Sequence, residues 1–219
     1  MSTPGLRIPI TAGAATFGEA AALGRTVIWL YTFGERMSDP NRERPAQPPR
    51  LKARMPRIPA EGAISDLLEA MPDTIDYDAV KKRLRIGSGY VENVEPAVWR
   101  YEVSGKQVLL QWFSYRKKNR ERPIIGDRRP LSPLGNIQPD HWIAEYTTEL
   151  LNVLNVLGCL VELESYQAAL LDRVCSGAII SSEELRVTGA LERSVQSSGR
   201  NQKDNATDLF DEKISPEKP

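Results

Sequence analysis

The sequence predicts an α+β fold in which a small, mainly antiparallel sheet packs against helices and a disordered C-terminal tail follows. Three observations predict it. Apolar residues recur at helical spacing near the start and again after residue 140, they alternate with polar residues between 84 and 103, and the composition beyond residue 185 turns polar. A length of 219 residues suits one sizeable core, so residues 1–185 are expected to form one domain and 186–219 the tail. The 41% apolar and 26% charged fractions are those of a globular protein, and the 16 prolines point to many turns and extended segments.

Residues 6–10 read as a short extended segment held open by Pro4 and Pro9. Thr16 then stands where an N-cap would precede Phe17, Ala20, Leu23, Val27 and Leu30, and this helix should end near Gly34. Residues 39–54, rich in proline and arginine, read as a surface loop or extended excursion, mobile in the free protein. A short amphipathic helix over 63–71 closes at Pro72. Leu84, Ile86, Tyr90 and Val91 around Gly87-Ser88-Gly89 predict a hairpin, and Trp99, Tyr101 and Val103 alternating with Arg100 and Glu102 predict a strand. Ser104-Gly105 turns the chain into a helix whose apolar stripe is Val108, Leu109, Trp112 and Phe113, while Lys106, Gln111, Arg116 and Lys117 face elsewhere.

Residues 118–139 hold four prolines and two glycines and read as a long irregular connection. Asp140 is placed to cap a helix carrying Ile143, Tyr146, Leu150, Val153, Leu154 and Leu157, which Gly158 should stop; a second helix over 162–174 should pack against it. Trp99, Trp112 and Tyr146 are assigned to the core. The tail is dominated by Gln, Ser, Asn, Lys and Asp, with Leu209 and Phe210 among its few large apolar residues.

Catalytic signals are missing from the sequence. It has no GxxxxGK[ST] phosphate loop, no glycine-rich dinucleotide fingerprint, no Asn-Pro-Pro-Tyr type amino-methyltransferase site, and no HExxH or CxxC pair. His141, the single histidine, has no nucleophile beside it in sequence and reads as a partly exposed residue near a helix cap. Glu162 with Glu164 and Glu183 with Glu184 lie one or two residues apart, and such neighbours on a helix do not converge on one site. Cys159 and Cys175, with no His/Cys cluster near them, are expected to be reduced and buried. No catalytic residue, metal site or cofactor is expected. The opening MSTPGLRIPIT has no signal-peptide pattern and no stretch reaches the length of a membrane span, so a cytoplasmic location with no membrane partner is expected.

The positive signal is local charge. Lysine plus arginine equal aspartate plus glutamate at 29 each, so the whole chain argues for no particular partner. Tyr115, Arg116, Lys117, Lys118, Asn119, Arg120, Arg122, Arg128 and Arg129, opposed only by Glu121 and Asp127, make a field suited to phosphates, with forked donors suited to base edges. A second cluster, Lys81, Lys82, Arg83 and Arg85, flanks the predicted hairpin. On charge alone both clusters also suit ordinary solvated surface.

Several of these features, in order, resemble the C-terminal specificity domain of type ISP restriction-modification enzymes. The resemblance runs through Arg7-Ile8-Pro9, Phe17, Leu23-Gly24 and Leu30, then Ile86-Gly87, Tyr90, Val94 and Pro96. It continues through Trp99-Arg100-Tyr101, Val103-Ser104-Gly105-Lys106, Trp112 and Tyr115-Arg116, and ends in the helix bearing Trp142, Tyr146 and Leu150. It spans about residues 6–185, and the Trp-x-Tyr-x-Val-x-Gly-Lys stretch with the following Trp and Tyr-Arg is its most specific part. In that family one polypeptide joins a nuclease, a translocase and an adenine methyltransferase to a C-terminal domain that reads an asymmetric DNA target. The resemblance therefore implies a non-catalytic target-recognition domain of a restriction-modification or related phage-defence system, with double-stranded DNA as partner. Methyltransferase and helicase/nuclease modules acting in trans are further candidate partners.

The candidate DNA-binding set is Lys106, Tyr115, Arg116, Lys117, Lys118, Asn119, Arg120, Arg122, Arg128 and Arg129. Phosphate contacts are expected from Lys117, Lys118, Arg120 and Arg122, and groove contacts from Asn119, Arg128 or Arg129. The chain opens on Met1 and holds none of the family's enzymatic modules. A separate specificity subunit, a gene remnant and a redeployed domain all fit that arrangement. The rival reading is a protein-interaction scaffold that docks onto methyltransferase and helicase partners without touching DNA, and a weaker one is an enzyme built around His141.

Overall fold

The computed structural model describes residues 8–64, 71–117 and 139–188, and the predicted helix over 63–71 falls largely outside them. The fold is α+β, with a three-stranded and a two-stranded antiparallel sheet among helices. The chain divides into two compact units, Ala21–Ala168 and a smaller one made of Met1–Ala20 with Ala169–Pro219.

In the smaller unit residues 10–12 pair with residues 178–180. Thr11 and Ile179 form an antiparallel bridge, with Ala12 N–H donating to Ala178 O at 2.8 Å and Ile180 N–H to Ile10 O at 2.8 Å. Glu19 and Arg173 form an ion pair. Helix α1, Ala14–Tyr31, starts two residues before the predicted cap Thr16; it is Thr11 whose Oγ1 accepts the Gly13 N–H, at 3.1 Å. Helical order near the C-terminal end runs past Leu185, because a short helix, Ser182–Val187, is closed by a full capping box. Ser181 Oγ accepts the Glu184 N–H at 3.2 Å, and Glu184 Oε2 accepts the Ser181 N–H at 2.7 Å.

In the larger unit α1 ends in a Schellman closure, with Gly34 N–H on Trp29 O (2.9 Å), Phe33 N–H on Leu30 O (3.1 Å), and Phe33 itself in the left-handed region at φ 51°. The proline- and arginine-rich segment that follows, expected to be mobile, is pinned instead. Trp29 Nε1 donates to Pro45 O (2.9 Å), Asp39 and Arg44 pair across a one-turn 3₁₀ helix at Pro40–Arg42, and the Leu51 N–H donates to Oδ1 of the buried Asn155 (3.0 Å).

Strands β1 (Ile75–Asp78), β2 (Arg83–Ile86) and β3 (Gly89–Val91) form an antiparallel meander, pairing Ile75 with Ile86, Tyr77 with Leu84 and Leu84 with Val91. These residues face the core; Asp76, Arg85 and Tyr90 share the other face. The predicted hairpin is thus β2–β3, and β1 joins it although the sequence did not mark it. The strand predicted through Trp99 is corrected: Pro96–Trp99 is a helical turn, α2, started by a proline at its first position, and only Glu102–Val103 (β4) is extended, pairing with Lys106–Gln107 (β5). Ser104 (φ 53°) and Gly105 (φ 74°) make the left-handed two-residue turn between them, so Lys106 lies in a strand and not in the helix.

Helix α3, Val108–Arg116, buries Leu109, Trp112 and Phe113 as its stripe predicted. The helix after Trp142 does not stop at Gly158: α4 runs from Ala144 to Ser176, and the two helices read from the sequence are one. Gly158 is present for space, because a Cβ there would lie 2.4 Å from Leu51 Cδ1. A single glycine costs a helix interior only about 1 kcal/mol, less than the burial of Leu150, Leu154, Leu157 and Leu160 on either side of it returns. The core of this unit gathers these leucines with Leu30, Leu84, Ile86, Val91, Leu109 and Trp142.

Candidate nucleic-acid interface

The C-terminal turn of α3 carries the described start of the basic run, and its three residues have different environments. Tyr115 is exposed. Arg116 folds back over its own helix: its guanidinium lies 4.0 Å from the centre of the Trp112 ring and 5.7 Å from that of Tyr146. Its Nη1 donates to Trp112 O (3.0 Å), Nε donates to Glu149 Oε2 (2.7 Å), and Nη2 contacts the same carboxylate oxygen. Trp142 packs edge-on against Tyr146 and tilted against Trp112, its Nε1 donating to Thr147 Oγ1 at 2.8 Å. Burial raises the Tyr146 hydroxyl above its ordinary range. The helix thus ends on an aromatic and ionic cluster that fixes its last turn against α4.

Lys117 leaves the helix in extended conformation, and its Nζ donates to Asp73 O (2.8 Å) with Asp73 Oδ1 at 3.3 Å. Lys106 is exposed on β5, at the opposite end of α3. Lys118, Asn119, Arg120, Arg122, Arg128 and Arg129 lie outside the described residues. The structure therefore gathers Tyr115, Arg116 and Lys117 at one helix end and leaves Lys106 apart from them.

Of the second basic cluster, Lys82, Arg83 and Arg85 are matched by carboxylates. Lys82 Nζ sits 2.7 Å from Glu95, Arg83 Nη2 2.8 Å from Glu92, and Arg85 3.8 Å from Asp78. Arg54 and Arg57 add to Glu95 and Glu92 from the preceding loop. The hydrogen bond from Lys82 holds the Glu95 carboxyl below its usual range, and the Lys81 N–H does the same for Asp78. Arg83 also lies over the Tyr90 ring at 4.2 Å.

A third basic grouping had no sequence signal beyond the arginine content of 39–54. Arg25 of α1 lines one surface concavity with Ala22, Asp39, Arg42 and Arg44. The long separation of Arg25 from the other two hid the grouping.

His141 is exposed, and among the described residues no group of three or more His, Cys, Asp or Glu could hold a metal ion. Glu162, Glu164, Glu183 and Glu184 are exposed on helices. Cys159 is half-buried and burial pushes its thiol up to about 11, whereas Cys175, expected to be buried, is exposed because it falls on the outer side of α4 beside the buried Val174. No helix among the described residues is long and apolar enough to cross a membrane.

Neither the curated proteins nor the solved structures contain a match to this chain. Residues 1–153 match the family model of the type ISP C-terminal specificity domain. The matched stretch takes in α1, both sheets, α3, the whole basic run from Tyr115 to Arg129, and the first turns of α4. This chain belongs to the type ISP C-terminal specificity domain family.

Proposed function

We propose that the chain is a non-catalytic DNA-recognition domain or subunit of a type ISP-like restriction-modification or related defence system, binding duplex DNA through the 115–129 segment. The observation that carries this reading is the family match across residues 1–153, which encloses that segment. Two sets of contacts support a division of roles within this reading. Arg116 makes hydrogen bonds through three nitrogens and stacks on Trp112, so moving it to a phosphate would forfeit all of them; it is a positioning residue. Lys117 pairs with an Asp73 side chain that is 96% exposed. Such surface pairs are worth about 0–1 kcal/mol, and a phosphate oxygen would also replace Asp73 O as acceptor for the Nζ, so Lys117 would exchange Asp73 for a phosphate at small net cost. Phosphate contacts from Lys117, Lys118, Arg120 and Arg122 would set the register on the duplex, while Asn119, Arg128 or Arg129 would read base edges.

The test is a fluorescence-anisotropy titration of random and candidate-site duplexes at several salt concentrations. Alanine at Lys117, Lys118, Arg120 and Arg122 together should weaken binding to all sequences alike and flatten the dependence of log K on log salt by about one unit per lost contact. Equal binding by the wild type and this variant removes the segment from the interface; no binding by either makes a protein-docking scaffold the better reading. Incubation with DNA, ATP, magnesium and a methyl donor should leave every substrate unchanged, and turnover abolished by His141→Ala would overturn the non-catalytic assignment.

A further inference from the structure

The concavity between α1 and the 39–44 loop collects more positive charge than it cancels. Arg25, Arg42 and Arg44 line it, and Asp39 is the one carboxylate among its lining residues. The two loop arginines share a single oxygen of that carboxylate, Arg42 Nε at 3.6 Å and Arg44 Nη2 at 3.5 Å from Asp39 Oδ2. Arg25, exposed on α1, makes no ion pair or hydrogen bond among the described residues. The neighbouring Glu43 is engaged by Lys52 at 2.6 Å.

The geometry is held in advance. Arg44 is 7% exposed, and its Nε donates to Met37 O at 2.8 Å, which orients the guanidinium. Its backbone pairs with Asp39 in both directions, Asp39 N–H on Arg44 O at 2.6 Å and Arg44 N–H on Asp39 O at 3.1 Å. The next residue, Pro45, is tied to α1 by Trp29 Nε1. A buried guanidinium needs an anionic partner, and at 3.5–3.6 Å Asp39 supplies its two arginines with ion pairs longer than good charge-assisted hydrogen bonds.

We infer that this concavity binds one backbone phosphate of duplex DNA, with Arg25 and Arg42 donating to its oxygens and Arg44 supplying fixed positive charge behind them. A phosphodiester offers two anionic oxygens to forked donors and carries no base identity, so the contact positions the duplex without reading it. The inference rests on the DNA-recognition reading above, and adds a contact outside the 115–129 segment.

The full chain, wild type and the pair Arg25→Ala with Arg42→Ala, is titrated with random and candidate-site duplexes across salt, next to the Lys117, Lys118, Arg120 and Arg122 quadruple variant. Arg44 stays in place because the loop is built around it. The arginine pair should bind every duplex about tenfold more weakly at low salt, as expected for losing one charge-assisted contact. It should also flatten the log–log salt slope by about one unit and keep the wild-type melting temperature. Wild-type affinity and slope in this pair, beside a weakened quadruple variant, overturns the inference and leaves the DNA reading intact; no duplex binding by the wild type overturns both. Stabilisation by inorganic phosphate that is lost in the pair, with duplex binding unchanged, also overturns it by assigning the site to a free anion. Should the pair melt early, the single Arg25→Gln variant, altered only on an exposed helix face, carries the same comparison.

Discussion

Gly158 of α4 and Leu51 of the proline- and arginine-rich segment after α1 meet so closely that a Cβ on the glycine would lie 2.4 Å from Leu51 Cδ1 and 3.0 Å from its Cγ. The Leu51 backbone is held by its N–H on the buried Asn155, so an added methyl has to be relieved by the Leu51 side chain leaving its rotamer. Helix propensity alone would make Gly158→Ala stabilising by about 1 kcal/mol, whereas overpacking costs about 1–3 kcal/mol. The substitution should therefore destabilise the wild type by about 1 kcal/mol and stabilise a Leu51→Ala background. Urea denaturation of the four-member cycle reads the sign in each background; the same sign in both would show that the contact does not govern the position.

Arg116→Ala should lower stability by about 1–2 kcal/mol, the sum expected for a partly exposed stack and an ion pair. Arg116→Lys keeps the charge but neither the flat stack nor the forked contact, and should recover less than half of the loss. Chemical denaturation measures both, and a Lys variant as stable as the wild type would reduce the cluster to simple charge pairing.

The two thiols should separate in a native-state titration with a chromogenic disulfide. Cys175 is exposed and should react promptly near pH 8, while Cys159, its thiol raised to about 11 by burial, should react only after denaturation. The folded value lies above the about 8.5 of an unfolded chain. This residue's contribution is therefore complete below the unfolded value and is lost as pH rises through the folded one. Two equally fast thiols at pH 8 would contradict the burial of Cys159.

Truncation after Thr188 should shift the melting temperature by no more than about a degree. The removed stretch holds too few apolar residues to offset its ordering entropy, and the capping box of Ser181 and Glu184 is retained. A drop of many degrees in a thermal melt would mean that the removed residues dock.

What could be read from the sequence was what local pattern controls. The β2–β3 hairpin followed from alternation around Gly87-Ser88-Gly89, the β4–β5 turn from Ser104-Gly105, and the buried face of α3 from Leu109, Trp112 and Phe113. Misreadings arose where a distant partner decides. Gly158 looks like a helix stop until Leu51 is seen beside it, and β1 has acidic residues at two of its four positions because only Ile75 and Tyr77 face inward. At Trp99 the alternation was real, but Pro96 sets a helical turn, and the stacking of Trp99 on Tyr77 fixes the ring in place of a strand pairing. For the candidate interface, charge density located the run but could not show that Arg116 is held by Glu149 across 33 residues, nor that Arg25 stands with Arg42 and Arg44.

The bridge between Thr11 and Ile179 sets an order of events during synthesis. Residues 10–12 precede the whole of Ala21–Ala168 in the chain, and their partners, residues 178–180, follow it. Closing so long a loop before the intervening chain has collapsed is entropically costly, and contacts of such high contact order form late. The larger unit is therefore expected to compact while the chain is still being made, with the N-terminal segment waiting until residue 180 has emerged.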